Sequence, residues 1–383
     1  MDRHVMKKKK FYLYKKGVVL CLITIIQRKC DKSVMKKQEN DEQMEKKFAI
    51  VKNGAKMEEK AKDTMGGGRM QYEGQICRAP MERGSYMLPV AVGCSYNACK
   101  FCTLFKHLQY RELPIAQIEE ELQRVKGLNG RPRRVFLGDG NAFGMKTERL
   151  LKILKLVREY FPDVTEVNMD ATVTNIQEKS DVELKKLWEA GVRHLYLGIE
   201  SGLPDVLEWM HKDHTLEEAY TAIDRIKRAG MIYDAHIMTG VAGRGRGTEN
   251  AEKTAEFLNV TRPRHVINFQ CFCIRRHRYT VTSSREIFLP ADELENLMEE
   301  KCLLEHLQVD GLKYDGFHDF GQFRVRGTFP EDREKMLRKV EEAIEKNKKK
   351  AGFCSDLGDF SEKLCYTDIT SEALQKEFYL WRM

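Results

Sequence analysis

Cys94, Cys99 and Cys102 lie within the nine residues C-S-Y-N-A-C-K-F-C, separated by four residues and then by two. Three thiols in so short a loop can converge on one inorganic centre, but the loops they could close are too small to staple a fold. Thiolates are soft ligands that suit iron–sulfur clusters, zinc and copper(I), and a structural or electron-transfer centre normally takes four protein ligands. With three, a cubane cluster keeps one iron open for a small molecule. Other readings of the spacing stay open: His107 could complete a zinc site of three cysteines and one histidine, Cys271 and Cys273 could supply a distant pair, or the thiols could be free.

The elements that must position this loop follow a regular plan. The run M-L-P-V-A-V-G before Cys94 reads as a buried strand that ends in the loop. From residue 86 onward, apolar runs alternate with amphipathic helical runs, the pattern of repeated βα units and a parallel sheet. Strands are predicted at 86–92, 134–138, 165–171, 193–199, 233–240 and 264–272. Between them, Ile115, Ile118, Leu122 and Val125 keep one helix face apolar after Pro114. Thr147 is expected to cap the next helix and Ser180 the one that stops at Gly191. Thr215 with Glu218 forms a capping box for a helix closed by Gly230. The apolar helix positions, Trp188 included, read as sheet-packing core.

Six such units predict an α/β fold, a partial (β/α)6 barrel of TIM type whose functional groups sit at the carboxyl ends of the strands. The strand ends carry the cysteine loop, then Gly138-Asp139-Gly140 with Asn141, Asn168 and Asp170, Glu200 and Ser201, and His236 and Thr239. A glycine pair is also an ordinary turn, Glu200 can cap a helix, and a histidine in an apolar strand can be a satisfied core residue. Their shared position at successive strand ends favours one ligand site.

Over residues 84–273 the chain resembles the radical S-adenosylmethionine (SAM) superfamily. Three cysteines after the first strand, with aromatic Phe101 before the last, carry the likeness, although the usual spacing is three and two. The stretch Y-L-G-I-E-S-G is similar to the fourth-strand motif of the subgroup containing the oxygen-independent coproporphyrinogen oxidases and the methylthiotransferases. The resemblance implies a 4Fe-4S cluster on Cys94, Cys99 and Cys102, with SAM chelating the open iron. It implies that Gly138, Asp139 and Gly140 lie by the SAM amino group, Glu200 and Ser201 by its ribose or methionine part, and Ile237 and Gly240 by its adenine. The reaction implied is reductive cleavage of SAM to a 5′-deoxyadenosyl radical that takes hydrogen from a substrate. An electron donor such as flavodoxin or ferredoxin is then a required partner.

The formal charge of +8 is uneven: residues 1–70 hold 19 Lys plus Arg against 9 Asp plus Glu, leaving 47 against 49 elsewhere. The near-neutral body favours a small-molecule substrate over RNA. Residues 1–69 read as a disordered or weakly helical basic leader, and several later methionines offer alternative starts. Its apolar run is about ten residues, half of what a membrane span needs. No small-residue cleavage site follows it, and an oxygen-labile cluster with 11 cysteines of irregular spacing points to the reducing cytoplasm.

After the barrel core at 70–273, residues 274–350 are expected to form an α+β extension that closes the barrel, and 351–383 a variable tail. The basic segment 275–287 reads as an anion loop, a solvated loop or a shifted reading frame, while His318, Asp319, Arg324 and Arg326 could face the pocket or line an edge strand. Two further functions stay open: a zinc-stabilised binding protein, and a cluster-binding homologue that has lost turnover.

Overall fold

The computed structural model describes residues 77–271, 288–318 and 323–355. The leader, Cys273, the segment 275–287, Asp319 and the residues from 356 onward lie outside them. The chain divides into two units, Met1–Arg69 and Met70–Met383, and every described residue belongs to the second.

Five of the six predicted strands form within two residues of their expected ends: β4 (Arg134–Gly138), β5 (Glu166–Ala171), β6 (Val192–Glu200), β7 (Ile232–Thr239) and β8 (His265–Gln270). The run at 86–92 instead divides into β1 (Tyr86–Pro89) and β2 (Ala91–Val92). β1 pairs in parallel with β4, whereas β2 leaves the sheet to pair antiparallel with β3 (Arg111–Glu112). That small ladder closes the base of the cysteine loop. The main sheet runs β1-β4-β5-β6-β7-β8-β9-β10 and is parallel except for β10 (Phe323–Thr328), which returns antiparallel on β9 (Lys313–His318). The carboxyl-terminal extension thus continues the sheet.

Helices α1 (Ile115–Gly127), α2 (Thr147–Tyr160), α3 (Val173–Gln177), α4 (Asp181–Glu189), α5 (Pro204–Trp209), α6 (Leu216–Arg228) and α7 (Gly247–Thr261) connect the strands. α8 (Glu293–His306) and α9 (Arg333–Ser355) accompany the extension. Ser180 and Thr215 cap α4 and α6 as predicted, and at Ser180 the structure adds a full capping box with Glu183 to match the one expected at Thr215. Thr147 does not cap α2. The chain leaves the 3-10 turn Ala142–Gly144 extended through Met145 and Lys146, so Lys146 occupies the cap and Thr147 the first helical position.

Strand alternation sorts side chains onto two faces. On β7, Tyr233, Ala235 and Ile237 join the core between sheet and helices. On the inner face Phe136, Tyr196, Ile267 and Phe317 form a second apolar cluster, with Phe269 against it. Tyr196, His236, Phe269 and Phe317 follow one another across the lumen at centroid separations of 5.7 Å. This ring layer divides the lumen into a carboxyl-end mouth and an amino-end chamber.

Candidate active site at the carboxyl ends of the strands

The loop between β2 and β3 reaches the mouth because two contacts clamp it. Asn141, just past β4, accepts from the amide and hydroxyl of Ser95 (both 3.1 Å) and donates to Asn175 (2.9 Å). Gly140 lies so close that a Cβ there would stand 2.1 Å from the Gly93 carbonyl oxygen, and its φ of +59° favours glycine as well. The additional residue that widens the first cysteine interval is absorbed at Asn97. It adopts φ 46°, a left-handed conformation asparagine tolerates, and donates to the Phe105 carbonyl (2.9 Å).

The three thiols are half-buried and in no disulfide. Cys99 and Cys102 pack against an apolar wall of Phe101, Leu203, Val206, Met210 and Val241, with Met238 and Cys271 beside them. Burial pushes the Cys99 thiol up to about 11, so a metal's positive charge is what would make it a thiolate at neutral pH. Buried Lys212 sits beside it, 3.5 Å from Glu200 and 3.7 Å from Asp213. Burial alone would discharge that ammonium, yet Glu200, Cys99 and Asp213 hold it above its ordinary range. One cation is therefore fixed next to the sulfur donors.

Opposite this wall the mouth is acidic and short of partners. Asp139 receives the Cys77 amide at 3.3 Å, and burial still pushes its carboxyl up to about 7. Burial, then the charges of Asp139 and Glu82, raise Asp170 well above its usual range. Asp170 Oδ1 and His236 Nε2 are buried without a hydrogen-bond partner among the described residues. Such atoms cost free energy unless a ligand satisfies them. Together with the thiol triad, they form a donor set that fits a cluster and a polar ligand bound beside it.

The remaining predicted residues divide. Glu200 ends β6 beside a register shift, at φ 67°, with Lys212 as its partner; a carboxylate held in that conformation is a strained feature of functional sites. Ser201 is fully buried, and its hydroxyl is committed to Asn250 and to the Leu203 amide. Asn250 donates to Glu299 (2.7 Å), which also accepts the Gly240 amide (2.9 Å), so a relay through α7 and α8 fixes the ends of β6 and β7 together. Gly240 is tight against Asn296, where a Cβ would lie at 2.5 Å.

Other expectations are corrected by position. Ile237, expected beside the adenine, joins the core between sheet and helices, while Met238, one residue on, packs against the same apolar wall as Cys99 and Cys102. Asn168 does not reach the mouth: it lies one strand repeat below Asp170, bonded to Glu82 and the His194 amide. His107 is exposed. His318 is fully buried between Glu293 and Glu300, Arg324 is paired with Asp315, and Arg326 lines the chamber at the other end. Sequence reasoning missed Lys212, Asp213 and Cys77; the run H-K-D-H after α5 was the available signal for the first two.

This arrangement, thiols on a clamped loop after the first strand of a parallel sheet with a glycine turn after the second, defines a class. The Radical SAM superfamily profile matches residues 88–258, a little under half of the chain. Over 153 residues, 39% of this chain, it is 25% identical to the heme chaperone HemW of Bacillus subtilis (strain 168). It is 23% identical over 156 residues to HemW of Haemophilus influenzae. Each alignment spans 40% of that relative's length. Among solved structures, methylornithine synthase (PylB) is similar at a TM-score of 0.42 and 14% identity, covering 68% of this chain and 81% of that one. Coproporphyrinogen III oxidase (HemN) from Escherichia coli is similar at 0.41 and 13%, covering 58% and 50%.

Proposed function

We propose that this chain is a radical SAM enzyme in which Cys94, Cys99 and Cys102 hold a 4Fe-4S cluster and SAM takes the open iron, leading to hydrogen abstraction from a substrate. The observation that carries this reading is the clamped cysteine loop together with buried polar atoms that no described residue satisfies. When bound, the cluster supplies the one-electron reduction that splits the 5′ carbon–sulfur bond of SAM.

The chain's own residues supply the setting. Lys212 offsets negative charge accumulated on the sulfur donors, and Phe101, Leu203, Val206 and Met210 keep water from that side. The Ser201–Asn250–Glu299–Gly240 relay fixes the two strand ends between which the nucleoside part would lie. Asp139, Asp170 and His236 offer polar contacts to the amino acid part of SAM or to the substrate. The curated relatives are named heme chaperones, so a tetrapyrrole is the first substrate or cargo class to test, with flavodoxin or ferredoxin as electron donor.

Anaerobic reconstitution tests the proposal. The expected result is roughly four irons per chain and 5′-deoxyadenosine after dithionite, with both lost in Cys99→Ala. Zinc in place of iron would support a binding protein instead, and iron without product a homologue that has lost turnover.

A further inference from the structure

At the opposite end of the strands, beneath the ring layer, the lumen opens into a chamber of about 940 Å³ lined by residues from the starts of β4 to β9. Its floor is a three-residue unit. Asp234, whose side chain is fully buried, accepts from Nδ1 of His194 (2.5 Å) and Nδ1 of His265 (2.7 Å). Both imidazoles line the chamber, and neither Nε2 has a hydrogen bond among the described residues. Burial drives His194 down, but Asp234 outweighs it and holds this imidazole above its ordinary range.

Most acids of the lining are already engaged, whereas most of its cations are not among the described residues. Glu82 accepts from Tyr196 (2.6 Å), Asn168 (2.9 Å) and Ser85. Asp315 is taken by Arg324, and Asp332 by the Thr328 amide (3.0 Å) and Lys335 (3.8 Å). Glu166 alone of these lining acids has no such partner among the described residues. Against it stand four cations, Arg134, Arg264, Lys313 and Arg326, that line the same chamber and have no ion pair among the described residues. Arg264, Lys313 and Arg326 come from the neighbouring strands β8 to β10 or the residue before them, and Arg134 from the start of β4. Cations converging on a concave wall create a positive potential there, and guanidinium groups match the oxygens of phosphate.

We propose that this chamber is a binding site for a small phosphate-bearing molecule, gripped by Arg134, Arg264, Lys313 and Arg326 at its rim with His194 and His265 at its floor. Its volume suits a ligand no larger than a mononucleotide. The site is built from residues the mouth does not use, so it is independent of the chemistry proposed there.

The test uses the full reconstituted chain, with glycerol 3-phosphate and inorganic phosphate as probes and chloride as the ionic-strength control. Phosphorus line broadening in NMR is expected to saturate, with Arg264→Glu/Lys313→Glu weakening the apparent Kd at least tenfold and leaving iron content and 5′-deoxyadenosine yield unchanged. The milder Arg264→Ala and Lys313→Ala variants, each weakening binding several-fold, guard against misfolding of the double variant. Saturation by inorganic phosphate alone still supports the site and identifies the phosphoryl group as the part recognised. Broadening that chloride at the same ionic strength abolishes, or that the variants do not change, would overturn the proposal. So would a non-iron metal at one per chain that is lost in His265→Ala, because the triad would then be a metal site.

Discussion

The two ends of the lumen are made from the same strands and treat buried polar groups in opposite ways. At the amino ends, Glu82 and Asp234 collect five donors between them, from Tyr196, Asn168, Ser85, His194 and His265. One strand repeat toward the carboxyl ends, β5 carries Asp170 and β7 carries His236, and each leaves a buried atom without a partner among the described residues. An unmet buried donor or acceptor costs about 1–3 kcal/mol. A sequence that satisfies such groups at one end and leaves them open a repeat away has spent stability where a ligand can restore it. At the amino end the buried acceptors are met, and what stays open among the described residues is the two imidazole Nε2 atoms of the floor and the cations of the rim. At the carboxyl end the buried acceptor itself is open.

The largest break in this comparison is Cys99→Ala, which should remove all bound iron and all 5′-deoxyadenosine yet shift apo-chain stability in urea by less than about 1 kcal/mol. A similar loss of stability with iron retained would show the triad to be structural. Next in size is a pH effect confined to the mouth side. Burial pushes the carboxyls of Asp139 and Glu299 up to about 7 from ordinary values of 3.8 and 4.5. Between roughly pH 4 and 7 the folded chain keeps protons that the unfolded chain has released, so apo-chain stability should fall as pH rises, by up to about 8 kcal/mol for the two groups together. Asp213 and Asp234 are depressed and act with the opposite sign, below roughly pH 4. Urea unfolding of Asp139→Asn should show about half the slope; an unchanged slope would mean that Asp139 is solvated.

Much of the mouth could be read from residue order, because strand ends and helix caps are local signals. The glycine turn, the cysteine loop and the boxes at Ser180 and Thr215 all rest on residues within a few positions of one another. What failed depends on neighbours distant in sequence. Setting Ile237 beside the adenine required knowing which face of β7 meets the lumen; Asp234 and His236 alternate with Tyr233, Ala235 and Ile237, but the alternation alone does not say which set faces the helices. The split at Val90 reflects pairing of β2 with residues 20 positions on. Grouping His194, Asp234 and His265 requires the register of three strands, so nothing in the chain order announces the chamber floor. Lys212 was hidden in a short charged run that composition treats as solvent-facing.

The sharpest contrast sets one substitution at each end. Glu82→Ala removes a buried acceptor and orphans the Tyr196 hydroxyl and Asn168 amide, so it should cost about 3 kcal/mol in urea unfolding. Any SAM cleavage per folded molecule should stay intact. Asp170→Ala is the smaller change and has the opposite signature. Its Oδ1 has no partner to lose, and burial already disfavours its charge, so stability should hold or rise by up to about 1 kcal/mol. If that oxygen awaits a polar ligand, SAM should bind about tenfold more weakly, a difference of about 1.4 kcal/mol. Equilibrium binding to the reconstituted protein, read beside the two unfolding curves, decides the matter. Equal destabilisation by both substitutions with SAM affinity unchanged would mean that the mouth is as self-contained as the floor.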